Sequence, residues 1–423
     1  MPSAASFFPS PDARPTHYFG ALESLRGVAA LIVVLFHVGW LTPLYDVGLI
    51  RNGYLMVDCF FILSGFVICH SYGNKVHTGT DAARFLWLRI GRLYPLHFVL
   101  IFVALGMECA KYYAEIKYGI ASVYGAFVAT NAGSFITNLL LIHDWGFHHA
   151  PNYNTPSWSI SAEFFAGILF CLILLVAKSS RKLVLVSLAI IVFSTSVILT
   201  HDSVGLTAMM EGGVFRCLLG FFIGVLTYQA YRALGKTNPS APAPEGNFRL
   251  NMFPLAMGFL LLALLTVKSS GPSDFLVLPI VALLLLSVVR APGGLADRCL
   301  GWKPVTWLGK VSYSIYLVHY PILWAFLQAV RVVLKAPVVT IGQERLPDPG
   351  PLLATALLVA ALGTVLVVSH FSFKWIEEPF RQKSRELAAR WFTPNPPPGS
   401  AAPFAPALLR GALRLVGFRG IGG

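Results

Sequence analysis

Leu25-Arg26-Gly27-Val28-Ala29-Ala30-Leu31-Ile32-Val33-Val34-Leu35-Phe36-His37 decides how this chain is read. An arginine and a glycine open an apolar run, and a histidine stands near its far end. A charged side chain in the hydrocarbon region of a membrane costs at least about 2.5 kcal/mol, so such groups face a partner or a watery cavity. Neutral imidazole is cheaper to bury and still exchanges a proton near pH 7. His37 is therefore a candidate base within a membrane.

The rest of the chain supports a membrane setting. Of 423 residues, 56% are hydrophobic and only 12% charged, against about 25% charged in soluble domains. The formal net charge of +13 would suggest nucleic acid in a soluble protein. Here the basic residues lie between apolar runs, which makes membrane orientation the better reading. Cys59, Cys69, Cys109, Cys171, Cys217 and Cys299 show no ligand-like spacing and read as ordinary buried helix residues. Residues 1–20 lack the apolar core of a cleavable signal peptide.

Ten apolar segments approach spanning length: 21–42, 54–70, 85–108, 157–177, 183–200, 214–231, 252–267, 274–290, 307–334 and 352–375. Runs this long satisfy their backbone in lipid only as helices. The fold class is thus an all-α polytopic integral membrane protein of about ten transmembrane helices. A weaker stretch, 119–142, is broken by Asn131, Gly133, Ser134 and Asn138 and reads as interfacial or re-entrant, with an eleventh span as the alternative. Alternate loops hold the basic residues, among them Lys75, Arg84, Lys178, Arg181, Lys182, Arg232, Arg298 and Lys303. This bias places both termini in the cytoplasm. The expected organisation is an N-terminal tail 1–16, a membrane domain 17–383 and a Pro-rich, basic tail 384–423, with a Pro/Ala/Gly linker at 237–247.

At about 1.5 Å of rise per residue, the polar residues sort by depth. His37, Asp58, Ser157, Glu163 and His319 are expected in one outer layer, drawn from four helices. Arg26, Arg84, Arg89 and Arg92 are expected in an inner layer. Arg89 and Arg92 share a helix face and suit bidentate binding of phosphate. Each has a plainer reading. The arginines are ordinary positive-inside residues on one view. Asp58 reads first as a helix-start residue near the headgroups, and Glu163 has complementing a helix N-terminus as an alternative that its depth weakens. His319 reads as readily as a packing residue, and Glu377-Glu378-Pro379 as a structural helix end. His143, His148 and His149 read as solvated loop rather than a metal cluster, and no bound metal is expected. No P-loop, G-x-G-x-x-G, G-x-S-x-G or H-E-x-x-H motif occurs.

Several stretches, in order, resemble the membrane-bound acyltransferase family 3. They are Leu25-Arg26-Gly27-Val28-Ala29-Ala30 with His37, then Val57-Asp58-Cys59-Phe60-Phe61-Ile62-Leu63-Ser64-Gly65-Phe66, and Arg89-Ile90-Gly91-Arg92-Leu93-Tyr94-Pro95. Asn154-Thr155-Pro156-Ser157-Trp158-Ser159-Ile160-Ser161-Ala162-Glu163, Tyr313-Ser314-Ile315-Tyr316-Leu317-Val318-His319 and Glu377-Glu378-Pro379-Phe380 follow.

The resemblance implies transfer of an acyl group, usually acetyl, from acyl-coenzyme A to a hydroxyl of a carbohydrate or lipid-linked glycan. By it His37 is catalytic, with Arg26 its motif partner and Glu163 beside it. Arg89 and Arg92 help hold the donor; Ser157, Trp158, Ser159, Asp58, Tyr94 and His319 line the site. Acyl-coenzyme A is the donor substrate, and no bound cofactor is expected. Some family members carry an appended extracytoplasmic domain; the stretch 384–423 does not read as one, so a separate partner is an alternative. The implied location is the bacterial plasma membrane. His37 then either deprotonates the acceptor or carries the acyl group as an acyl-imidazole, and the separation of the layers favours a relay. The rival from another class is a proton-coupled exporter using His37 and Glu163.

Overall fold

The computed structural model describes residues 19–119, 125–201, 205–207, 209, 212–235, 248–267, 271–342 and 344–392. The linker 237–247 and the tail 394–408 lie outside them. Each of the ten apolar segments coincides with a helix. We label these α1 (Gly20–Phe36), α2 (Met56–Tyr72), α3 (Gly79–Tyr118), α4 (Trp158–Val176), α5 (Ser180–His201), α6 (Gly213–Ala233), α7 (Phe248–Val267), α8 (Val277–Arg290), α9 (Lys303–Gln328) and α10 (Pro351–Ser372), followed by α11 (Glu378–Trp391). Among the described residues, eight helical stretches are long and apolar enough to cross a membrane. α1 is shorter, at 17 residues, and the apolar part of α7 is Asn251–Val267. The protein is an all-α, multi-pass membrane protein.

Among the described residues of the stretch 119–142 there is no eleventh span. Its helix, Ala132–Leu139, has 8 residues, about 12 Å at helical rise, and a reciprocal Asn131–Ser134 cap fixes its start. α3 exceeds its expected bounds: 40 residues make about 60 Å, twice the hydrocarbon thickness. α11 runs on to Trp391 and packs along α3, with the rings of Trp87 and Trp391 4.8 Å apart. Cys109 and Cys299 are exposed, contrary to expectation; the other four cysteines are buried.

Hydrocarbon gives helices no hydrophobic reason to associate, so close packing of small residues decides which pairs form. The most extensive pairs are α1 with α9 and α2 with α6. A Cβ on Gly27 would come within 2.6 Å of the Gly309 nitrogen, and one on Gly65 within 1.9 Å of the Phe221 carbonyl oxygen. Both pairs rest on backbones that touch where a side chain would stand. The α1–α9 pair aligns His37 with His319. The connection from α9 to α10 holds an antiparallel hairpin that sequence patterning missed, β1 (Val338–Ile341) and β2 (Glu344–Pro347), in the register Val338 to Pro347 and Ile341 to Glu344. It is tied to the loop after His37: Leu41 N–H donates to Pro347 O over 3.0 Å, and Arg51 pairs with Glu344 at 3.1 Å.

Candidate active site

His37 caps the C-terminus of α1. Its Nδ1 lies 2.9 Å from the carbonyl oxygen of Val33, one turn back. His319, fully buried on α9, makes the matching contact: its Nδ1 is 3.2 Å from Ile315 O. A carbonyl only accepts, so each ring carries its proton on Nδ1. His319 Nε2 is then unprotonated and lies 3.3 Å from His37 Nδ1, a second acceptor for the same N–H. The tautomer so assigned leaves the lone pair on His37 Nε2 available as base or nucleophile. Phe36 and Tyr320 flank the ring, with centroids at 5.0 Å and 6.3 Å.

A second centre gathers the arginines, and it overturns the expected layering. Glu163 does not sit level with His37. It pairs with Arg89, Nη2 to Oε1 2.6 Å, and the same oxygen accepts from Ser64 Oγ. The separation between Glu163 and the arginines inferred from depth alone is therefore wrong. The cause is α3, which carries Arg89 ten residues beyond its own start and so about 15 Å into the bundle. Arg26 and Arg92 lie within electrostatic reach of Glu163 and of Glu377. Glu377 is buried in a π-helical turn, Phe373–Glu377, and accepts from Ser314 Oγ over 3.1 Å. Arg381 also reaches Glu377 and pairs with Glu378, so four guanidinium groups face three carboxylates, a net charge of +1 (4 − 3). Arg26 and Arg92 make no ion pair among the described residues. Along α1, Arg26 and His37 are eleven positions apart, about 16 Å.

The other expected site residues are distributed around these centres. Ser159 Oγ lies 2.7 Å from Tyr316 Oη, and the Tyr316 and His319 rings are 5.9 Å apart, which links Ser159 to the histidine pair. Ser157 is fully buried and lies 3.1 Å from His143 Nε2. His143 is not solvated loop: it is buried and stacks on His97 with ring centroids 5.5 Å apart. Asp58 does lie in the first turn of α2, but it is fully buried and paired. Arg216 grips it with Nε to Oδ1 at 3.0 Å and Nη2 to Oδ2 at 2.7 Å, and Trp158 lies beneath that guanidinium at 5.5 Å. Tyr94 is half-buried and packs on Phe98 at 5.8 Å; no described contact links it to either centre. Arg84 is exposed.

Sequence reasoning missed Arg216 and the burial of Glu377. An arginine three residues inside an apolar helix that opens at Gly213 was a legible signal for a buried partner. Among the described residues no group of three or more His, Cys, Asp or Glu side chains converges as metal ligands.

Comparison with known proteins bears on this arrangement. The acyltransferase-domain model of acyltransferase family 3 matches residues 19–370, which takes in His37, both arginine-bearing segments and His319. The chain belongs to the acyltransferase 3 family. It is similar to YrhL of Bacillus subtilis, provisionally named a peptidoglycan O-acetyltransferase, at 25% identity over 89% of this chain and 57% of that protein. It is also similar to the peptidoglycan O-acetyltransferase OatA of Listeria monocytogenes, at 23% identity over 86% of this chain and 56% of that protein. BcsY of Komagataeibacter xylinus, provisionally named a membrane-bound transacylase, shares 27% identity over 71% of this chain and 72% of its own. The chain spans little more than half the length of the first two relatives. No solved structure matches.

Proposed function

We propose that this acyltransferase 3 family member is an O-acyltransferase, moving an acetyl group from acetyl-coenzyme A to a hydroxyl of a polysaccharide or lipid-linked glycan. The observation that carries the reading is the pairing of His37 with His319, set about 16 Å along α1 from a buried centre of net positive charge. The first centre offers a base of defined tautomer. The second offers unpaired guanidinium groups to an anionic donor, and Arg26 and Arg92 suit its phosphates. A long pantetheine arm bridges the interval between them, so the thioester reaches His37.

The acceptor hydroxyl gives its proton to His37 Nε2 as its oxygen attacks the thioester carbonyl. The C–S bond then breaks, and the departing thiolate takes the proton back from the imidazolium. In the covalent variant, Nε2 attacks the thioester first and the C–S bond breaks, expelling the coenzyme A thiolate; the acceptor hydroxyl then displaces the imidazole from the acyl group, and its proton passes to the thiolate. Labelled donor supplied without acceptor separates the two: label on His37 marks the covalent route.

The excess of basic residues in alternate loops supports an arginine end on the cytoplasmic side and His37 towards the outer face, with a bacterial plasma membrane as the proposed setting. The relatives named for peptidoglycan acetylation favour a cell-envelope glycan as acceptor. The test compares O-acetylation of envelope glycans by mass spectrometry in cells with the protein, without it, and with His37→Ala. Loss of one acetylated species in the second and third supports the transferase. An unchanged profile, with substrate still moved across the membrane, supports the exporter.

A further inference from the structure

A recess stands at the end of the bundle opposite His37. Gly53, three residues before α2, packs on Phe36, where a Cβ would come within 2.9 Å of the Phe36 Cβ. The 17 residues of α2 then carry the chain about 25 Å away. There the loop after α2, the end of α4, the start of α5 and the end of α6 enclose a cavity of about 320 Å³, at the small end of the range for ligand pockets. Val76, Leu174 and Leu183 form its apolar part.

The charge on its lining has one sign. Lys178 and Arg232 line the cavity, and no carboxylate does. Neither cation makes an ion pair among the described residues. Arg232 Nη1 donates to a neutral oxygen, Asn74 Oδ1, at 3.4 Å. The acid nearest along the chain, Asp81, is engaged elsewhere: its Oδ2 accepts from Thr78 N–H at 2.9 Å and Oγ1 at 2.8 Å, and from His77 N–H at 3.1 Å. α5 begins on this wall at Ser180, so the positive end of its dipole adds to the same field. Two cations sharing one small cavity repel each other, and an anion between them removes that cost.

Basic residues that only orient a chain in a membrane need no recess. Lys75, Arg181 and Lys182 project from the same loops, exposed and outside the lining. The recess also stands beside lipid. Val176 and Leu185, within two residues of the lining on α4 and α5, are 78% and 58% exposed, and such faces meet hydrocarbon in a membrane protein. It is separate from the arginine centre: Gly167, whose Cβ would lie 3.9 Å from Arg89 Nε, is seven residues back along α4 from Leu174, about 10 Å.

We propose that this recess binds a phosphate group, carried by an anionic lipid headgroup or by a soluble anion. Arg232 meets it through its guanidinium fork and Lys178 as a point charge. The hydroxyls of Ser179 and Ser180 add neutral donors on the lining. The inference does not depend on acyl transfer.

The test reads the reactivity of Lys178. The purified full chain in neutral detergent is treated with an acetylating succinimidyl ester, and peptide mass spectrometry measures modification at each lysine, with Lys75 and Lys182 as exposed references. Phosphatidylglycerol in the micelles and inorganic phosphate in the buffer are added separately, against diacylglycerol and chloride as controls. At least one of the two anions should slow modification of Lys178 severalfold relative to the references. Protection by the lipid alone assigns a headgroup; protection by inorganic phosphate assigns a soluble ligand. Arg232→Gln should raise the anion concentration needed about three- to tenfold, the worth of one hydrogen-bonded contact. Ser180→Glu, which adds a carboxylate to the lining, should abolish protection, and Lys303→Gln, in another loop, should leave it unchanged. Protection by neither anion would overturn the proposal, as would protection that survives both Arg232→Gln and Ser180→Glu or that falls equally in Lys303→Gln.

Discussion

His319 Nε2 lies 3.3 Å from His37 Nδ1, and both Nδ1 atoms face carbonyls of their own helices. The pair thereby fixes which nitrogen of His37 is basic. Removing His37 should cost the full contribution of a positioned base, about 10²- to 10⁴-fold in turnover. His319→Ala should lower kcat about ten- to a hundredfold, by analogy with the partners that orient metal-bound histidines, with KM for the donor unchanged. His319→Asn, which can accept from His37, should recover part of the loss. An unchanged kcat in His319→Ala would reduce His319 to packing.

The Arg89–Glu163 pair is shielded, with side-chain exposures of 7% and 18%. Breaking a buried pair leaves an uncompensated charge, which commonly costs about 3–5 kcal/mol. The partial exposure of Glu163 and its Ser64 contact put Glu163→Gln towards or below the low end of that range. Thermal unfolding in detergent checks it. The variant should also bind the donor at least as tightly, because the centre becomes more positive. Weaker donor binding in a folded Glu163→Gln would contradict the charge argument.

Asp58 and Arg216 are both at most 2% exposed, and a third guanidinium contact, to Tyr54 O at 2.9 Å, ties α6 to the turn before α2. Either single substitution, Asp58→Leu or Arg216→Met, should destabilise by about 3–5 kcal/mol, and the double variant should recover most of it. A double variant as unstable as the sum of the singles would contradict a role confined to the pair.

His143 makes stability depend on pH. Burial, aided by the adjacent His97 and His148, pushes it down to about 3, below an unfolded value of about 6.5. Between those values the unfolded chain binds a proton that the folded chain refuses, so stability is full above about pH 6.5 and falls as pH falls. Thermal unfolding from pH 7 to pH 5 should drop less in His143→Gln than in the parent. Parallel curves would show that His143 is protonated without penalty.

Much of this was legible in the sequence because the bilayer is an exacting solvent. Ten apolar runs had to be helices, and Gly27 and Gly309 mark where two of them touch. Arg26, Arg89 and Arg92 were readable as a group because each enters an apolar run from the same end. Depth along a single helix did not reveal lateral pairing. Glu163 lies only five residues past the start of α4, yet α3 brings Arg89 up to meet it. Asp58 and Arg216 are 158 positions apart, and no local pattern joins them. The hairpin at 338–347 escaped because four-residue strands carry too little alternation to register.

The central claim is that His37 performs acyl transfer using a donor held at the arginine centre. Purified protein in nanodiscs, given labelled acetyl-coenzyme A and envelope glycan fragments, tests it directly. The account predicts O-acetylated glycan and free coenzyme A in equal amounts from the parent chain. It predicts neither from a folded His37→Ala, and donor binding that weakens in Arg92→Ala. Undiminished transfer by His37→Ala would contradict it.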